Sequence, residues 1–268
     1  MIHEYIKLKD YIPAIKSEAS LTTFCPDNFE EYSIGKIRKC LLVIPGGGYQ
    51  FVSEREAEAI AVKFLSEDFA VFVLKYTVDG FEYPTPINEA LASVKYIRDN
   101  CEKYHVDPNY ISLLGFSAGG HLAASSTLLC TDKYFADLLD CSNDDLKVNG
   151  LLLAYPVITM GKYTHEGTRD QICNGDEKLV DKLSVEKHIT SDFPPTFIWL
   201  TAEDVLVPPY NSLELAQQLV NNNVTVELHM YPKGHHGLAT CDTMTNEKDF
   251  SDVKNWIGQA IYFLKNRV

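Results

Sequence analysis

Short, nearly unbroken apolar runs alternate with longer stretches of helical periodicity, which predicts an α/β fold with a mostly parallel central sheet covered by helices on both faces. Chain length agrees, since 268 residues suffice for one large domain that buries such a sheet completely. The alternation is broken at two places. One of them, at about 156–193, lies between two strands, on the route across the carboxyl-end surface where ligands sit in open α/β sheets. The expected organisation is a single domain over residues 1–268 with a small cap insertion at about 156–193.

In chain order, residues 3–8 and 19–24 are weakly patterned and read as antiparallel edge strands, and residues 39–44 form the first strong strand. A helix follows at 54–67, with Ala57, Ile60, Ala61, Phe64 and Leu65 at helical spacing. Ser53 with Glu56 three residues later gives a capping-box signature at its start. A second buried strand at 69–76 leads through Tyr83-Pro84-Thr85-Pro86 to a helix at 87–103, whose apolar face is Ile87, Ala90, Leu91, Val94 and Ile97. The rhythm continues with strand 110–116, helix 119–130, strands 148–154 and 196–201, helix 209–221 and strand 224–230. A last helix is expected at 247–264, buried through Phe250, Val253, Ile257 and Leu264. Residues 131–147 are polar and acidic and read as an irregular link, while the cap stretch carries a helical piece around 176–187.

An excess of 37 acidic over 24 basic residues gives a net charge of -13, which argues against nucleic acid or an anionic membrane as partner. No apolar run approaches the ~20 residues needed to span a bilayer. The start, Met1-Ile2-His3-Glu4-Tyr5, carries no secretory pattern, and the seven cysteines are scattered without the close spacing of a zinc or disulfide framework. The chain therefore reads as cytoplasmic and thiol-containing. With neither His-Glu-x-x-His nor Cys-x-x-Cys, no metal and no cofactor is expected.

The chemistry starts at Gly115-Phe116-Ser117-Ala118-Gly119, directly behind an apolar run. Small residues around a serine at a strand-to-helix turn let the backbone bend tightly enough to lift the hydroxyl clear of the sheet. Ser117 is the candidate nucleophile. Asp204, behind the strand-like run ending at Thr201, would emerge at the same sheet edge, with Glu203 as its rival; a carboxylate there could also simply cap the helix near Pro208. The base should come from Lys233-Gly234-His235-His236-Gly237. His236 is favoured over His235, because Gly237 behind it relieves steric demand. Pro45-Gly46-Gly47-Gly48-Tyr49 follows the first central strand and exposes amides that bulkier side chains would shield. Gly47 and Gly48, with the amide of Ala118, are the candidate oxyanion donors. His121 is expected to support the nucleophile region rather than act as base. His165, Arg169 and Asp170 are candidates for lining a pocket from the cap, with a solvated polar cluster as the alternative.

At these residues the chain resembles the α/β-hydrolase superfamily, and within it the acetyl-esterase and acetyl-xylan-esterase-like sugar-ester hydrolases near the hormone-sensitive-lipase-like enzymes. The likeness runs from about Lys39 through His236 into the final helix. Gly-x-Ser-Ala-Gly-Gly-His-Leu falls on residues 115–122, Asp-x-x-Val-Pro on Asp204, Val207 and Pro208, and Pro-x-Gly-x-His-Gly on Pro232, Gly234, His236 and Gly237. Where the family has His-Gly-Gly-Gly, this chain has Pro45 in the first position. The resemblance implies a deacetylating carboxylesterase acting on a small ester substrate such as an acetylated saccharide, and it is compatible with a homodimer. The competing readings are a peptidase resembling the prolyl oligopeptidase group and a non-catalytic binding protein on a hydrolase fold.

Overall fold

The computed structural model describes all residues, 1–268. Eight strands form one sheet: β1 (Tyr5–Lys7), β2 (Ser20–Phe24), β3 (Arg38–Ile44), β4 (Ala70–Lys75), β5 (Val106–Phe116), β6 (Gly150–Ala154), β7 (Thr196–Thr201) and β8 (Val226–Tyr231). Their spatial order is β1-β2-β4-β3-β5-β6-β7-β8. The first two strands pair antiparallel and β2 joins β4 antiparallel; from β4 to β8 every pairing is parallel. This is the mostly parallel sheet the apolar runs predict, and residues 3–8 and 19–24 do supply its antiparallel edge.

The helices are α1 (Glu58–Leu65), α2 (Thr85–Asp99), α3 (Ala118–Leu129), α4 (Lys133–Leu139), α5 (Glu166–Cys173), α6 (Glu177–Lys182), α7 (Tyr210–Asn221) and α8 (Trp256–Asn266). None is long and apolar enough to cross a membrane. The central strands β3, β5 and β6 divide their side chains between two separate apolar cores. Leu42, Ile44, Leu113 and Leu151 belong to the larger, with α2 and α3, whereas Leu41, Val43, Leu114 and Leu152 belong to the smaller, with α1 and α8. Alternate residues of one strand face opposite sides, so both faces must be covered, and continuous hydrophobicity is the result. All seven cysteines are free thiols.

Four sequence expectations need correction. Ser53 makes no capping bond; residues 54–56 form a short 3-10 turn, the helix begins at Glu58, and the Glu56 carboxylate turns inward instead. The second helix stops at Asp99 rather than 103. Residues 131–147 are not irregular. They hold α4, whose start is capped by Asp132 accepting from the Tyr134 amide, and a 3-10 turn with a reciprocal capping box between Ser142 and Asp145, so two of the acidic residues in this stretch are caps. Finally, α8 begins only at Trp256. The Phe250 amide donates to the Cys241 carbonyl at 2.8 Å and the Asp249 carboxylate accepts from the Thr243 amide at 3.2 Å, so partners earlier in the chain hold residues 247–250 out of a helix despite the helical spacing, and 251–255 form turns.

Residues 156–193 contain α5 and α6. They rest on the body through His121 on α3, whose Nε2–H donates to the Leu183 carbonyl at 2.9 Å, and through Asn211 on α7, whose Oδ1 accepts from the Ile158 amide at 2.9 Å and whose Nδ2 donates to the Tyr163 carbonyl at 2.8 Å.

Candidate active site

Strand β5 ends at Phe116, and Ser117 takes φ 52° and ψ -120°, a conformation that ordinary residues occupy only when the surroundings enforce it. The enforcement is visible in the flanking glycines. A Cβ on Gly115 would sit 2.4 Å from the Gly119 carbonyl oxygen, and one on Gly119 would sit 2.2 Å from the Ile44 carbonyl oxygen. Only hydrogen at both positions lets α3 start hard against the ends of β3 and β5. The serine hydroxyl is consequently lifted out at the carboxyl end of the sheet, while the residue stays mostly buried at 8% exposure.

Two loops from farther along the chain meet it. His236 Nε2 lies 2.8 Å from Ser117 Oγ, and His236 Nδ1 lies 2.6 Å from Asp204 Oδ2. Asp204 Oδ1 accepts from the amides of Leu206 and Val207 at 3.0 and 2.9 Å, which orients the carboxylate before the histidine arrives. A carboxylate can only accept, so Nδ1 carries the imidazole proton and Nε2 is left to accept from the serine hydroxyl. The rivals are placed elsewhere. Glu203 is exposed, with only a long contact of 3.4 Å to the Gly234 amide, and His235 turns outward, its Nδ1–H donating to the His236 carbonyl at 2.7 Å.

Gly46, Gly47 and Gly48 leave β3 beside the serine, and a Cβ on Gly46 would lie 2.9 Å from Ser117 Cβ. The Gly46 amide donates to Glu56 Oε2 at 2.8 Å and is therefore not free. The amides of Gly47, Gly48 and Ala118, by contrast, donate to no acceptor within the chain. Unpaired amides beside a nucleophile are the arrangement that can receive a developing oxyanion.

Support comes from both sides. His121 is fully buried and bridges α3 to the oxyanion loop and the 156–193 stretch, accepting at Nδ1 from the Tyr49 hydroxyl at 2.9 Å while Nε2–H reaches Leu183. Burial holds it neutral, with its pKa lowered to about 4. Its side-chain bonds thus run to Tyr49 and Leu183 rather than to Ser117, whose surroundings it is expected to support. His165 caps α5, its Nδ1 accepting from the Thr168 amide at 3.2 Å, and its Cε1 lies 3.6 Å from where a Gly48 Cβ would be. Burial, and then the nearby His236, lower its pKa. Arg169 and Asp170 do not join it: they pair with each other at 3.6 Å on an exposed flank. No group of three or more His, Cys, Asp or Glu side chains is placed to hold a metal ion.

With this geometry in place, the BD-FAE family model matches residues 30–219, a span from just before β3 to near the end of α7. The chain belongs to the BD-FAE family. It is 35% identical over 231 residues to the Butyrivibrio fibrisolvens protein named endo-1,4-beta-xylanase B, which covers 82% of this chain and 34% of that protein. Against the acetylxylan esterase of Xylanibacter ruminicola it is 25% identical over 249 residues, 90% of this chain and 48% of that one. The chain thus spans between about a third and a half of these curated relatives. The solved acetyl ester-xyloside bifunctional hydrolase from Caldicellulosiruptor lactoaceticus superposes with a TM-score of 0.85 at 32% identity, covering 98% of this chain and 96% of that one. Fold and relatives place this BD-FAE member among the α/β-hydrolases.

Two site neighbours escape the sequence reading: Glu56, which reads as part of a capping box, and Tyr155, which lies just past the expected strand at 148–154. One signal for Glu56 exists. The buried stripe of α1, Ile60 and Phe64, extended back by four residues, lands on a carboxylate that is only 3% exposed.

Proposed function

We propose that this chain hydrolyses short-chain carboxylic esters, above all acetyl esters of sugars or similar small alcohols, through Ser117, His236 and Asp204 and a covalent acyl-enzyme. The observation that carries the reading is the continuous line Asp204–His236–Ser117 at 2.6 and 2.8 Å, opening beside three unpaired amides. In the first half-reaction Ser117 Oγ attacks the ester carbonyl carbon as its proton passes to His236 Nε2. The negative charge moves to the carbonyl oxygen, where the amides of Gly47, Gly48 and Ala118 receive it. Collapse of the intermediate breaks the bond to the alcohol, which leaves with the proton from His236. Water then repeats the sequence on the acyl-serine, releasing the acid and restoring the serine. Asp204 accepts from Nδ1–H throughout and stabilises the transient imidazolium.

The sugar alcohol is supported by the rim. Tyr163, two residues before His165, stacks on Tyr210 at 4.3 Å between ring centroids and 21° between planes, and Tyr210 is half exposed. The pair joins the 156–193 stretch to the first turn of α7, just past the loop that carries Asp204, and a flat aromatic face of this kind suits the apolar side of a sugar ring. Two relatives are named for acetylxylan and acetyl ester-xyloside substrates.

The test is a set of initial rates on acetyl, butyryl and octanoyl esters of one alcohol, beside an acetylated xylo-oligosaccharide, for the wild type and Ser117→Ala. The expected result is kcat/KM falling at least about tenfold from acetyl to octanoyl, acetate release from the oligosaccharide, and no turnover by the variant above about 1 part in 10^4. Preference for octanoyl overturns the short-chain reading. Activity on the simple acetyl ester without acetate release from the oligosaccharide overturns the sugar alcohol, and an active Ser117→Ala enzyme overturns the nucleophile.

A further inference from the structure

We propose that Glu56 is a positioning residue for this site: one buried carboxylate that locks the oxyanion loop and the histidine loop to each other. The inference rests on the esterase reading above. Glu56 has no cationic partner within ion-pair distance, although it is almost wholly buried. An acid kept there must be satisfied by donors, and each oxygen has one. Oε2 accepts from the Gly46 amide at 2.8 Å and Oε1 from the Tyr155 hydroxyl at 2.7 Å.

The two donors belong to the two halves of the reacting machinery. Gly46 is the first residue of the glycine loop, and its neighbours Gly47 and Gly48 carry the unpaired amides. With the Gly46 amide held back toward Glu56, the loop must turn at that point, and Gly47 and Gly48 follow with φ 126° and 65°. Tyr155 stands at the end of β6 with φ 39°, fixed by its amide donating to the Trp199 carbonyl at 2.7 Å. Its ring meets the His236 imidazole edge to face, 4.9 Å between centroids, and its hydroxyl oxygen accepts from the Ala239 amide at 3.0 Å, three residues past the histidine. The adjacent Arg55 adds a grip on the same loop, its Nη1 donating to the Gly237 carbonyl at 3.1 Å. The turn at 54–56 thus holds the histidine loop at residues 237 and 239 and the oxyanion loop at residue 46. It touches neither substrate nor the reacting atoms.

Geometry of this kind acts on the transition state more than on binding. Donors and base must sit within a few tenths of an ångström of their working positions, and slack in either is felt mainly in kcat. Burial raises the Glu56 pKa, and the Tyr155 hydroxyl, the Gly46 amide, the nearby His236 and Ser53 oppose that. A glutamine has the same shape but one accepting oxygen, and cannot accept from both the Gly46 amide and the Tyr155 hydroxyl.

The experiment compares wild type, Glu56→Gln, Tyr155→Phe and the double variant on p-nitrophenyl acetate, with Ser117→Ala as the reference for the chemistry and near-UV circular dichroism for the fold. Expected is a fall in kcat of about 10- to 100-fold for each single variant, KM within about threefold, and a double variant no slower than the slower single, because both act through one hydrogen bond. Wild-type kcat in Glu56→Gln or in Tyr155→Phe overturns the proposal, as do losses that multiply in the double variant or that lie in KM. If Glu56→Gln fails to fold, Tyr155→Phe, which keeps the ring and removes only the hydroxyl, decides alone. A wild type inactive on acetyl esters, or an active Ser117→Ala, defeats the esterase reading instead, and that outcome is separate from the Glu56 result.

Discussion

Two buried carboxylates bear on His236 from different parts of the chain, and they do so by different means. Asp204 sits on the loop after β7, is oriented by two amides three residues or fewer away, and touches the imidazole directly. Glu56 sits on a 3-10 turn before α1, is oriented by partners 10 and 99 residues away, and reaches the imidazole only through the ring of Tyr155. A locally organised carboxylate can fix a tautomer. A carboxylate organised by tertiary contacts can only fix where whole loops lie. The difference predicts effects of different size and kind.

Asp204→Asn probes the local side. The amide oxygen can still accept from Leu206 and Val207, but the nitrogen then faces His236 Nδ1 and drives the imidazole to the wrong tautomer. The expected loss in kcat is about 10^4-fold with little change in folding stability, measured by steady-state kinetics and thermal denaturation. This should exceed the Glu56→Gln effect by at least about tenfold, and equal losses would erase the distinction between fixing a proton and fixing a loop.

Gly47→Ala probes the oxyanion loop without touching either carboxylate. Gly47 has φ 126°, and an added Cβ would lie 1.9 Å from the Phe51 carbonyl oxygen, so the loop must move out. Losing one donor to the oxyanion costs roughly 10²–10³ in kcat, which is the expected range here, with KM nearly unchanged. A variant within about threefold of wild type in kcat would remove Gly47 from the oxyanion site.

The same contrast explains what was legible in the sequence. The sheet and the elbow were legible because their causes are local: β-rich apolar runs must be buried on both faces, and Gly115 and Gly119 flank a serine in the only backbone conformation that exposes it. Asp204 and His236 followed from chain order and from the turns that carry them. Glu56 suggested a helix cap because Ser53 stands at the right spacing, and what pulls it inward is the Gly46 amide, which arrives there only once β3 and α1 have packed. Tyr155, one residue past the strand expected at 148–154, carries no role in the sequence for the same reason: the Glu56 carboxylate that accepts from its hydroxyl is 99 residues away. Residues 247–255 show the converse, since a helical spacing of Phe250 and Val253 is overridden by the Phe250 amide binding Cys241.

His121 offers the smallest and sharpest comparison, because it braces the far end of the glycine loop through Tyr49 as Glu56 braces its start, but as a neutral base rather than an acid. Its pKa is lowered by burial to about 4, against about 6.5 in an unfolded chain. Between those values the unfolded state binds the proton and the native state does not. The contribution is therefore complete above about pH 6.5 and is lost as pH falls toward 4, by an amount on the order of 3 kcal/mol. Urea denaturation of the wild type and His121→Gln at half-unit steps from pH 4 to 7 isolates this from the surface carboxylates that titrate in the same range. The variant is expected to be less stable at pH 7, and the gap should close by most of that amount toward pH 4. A gap that stays constant with pH would mean that His121 is not held neutral by its surroundings.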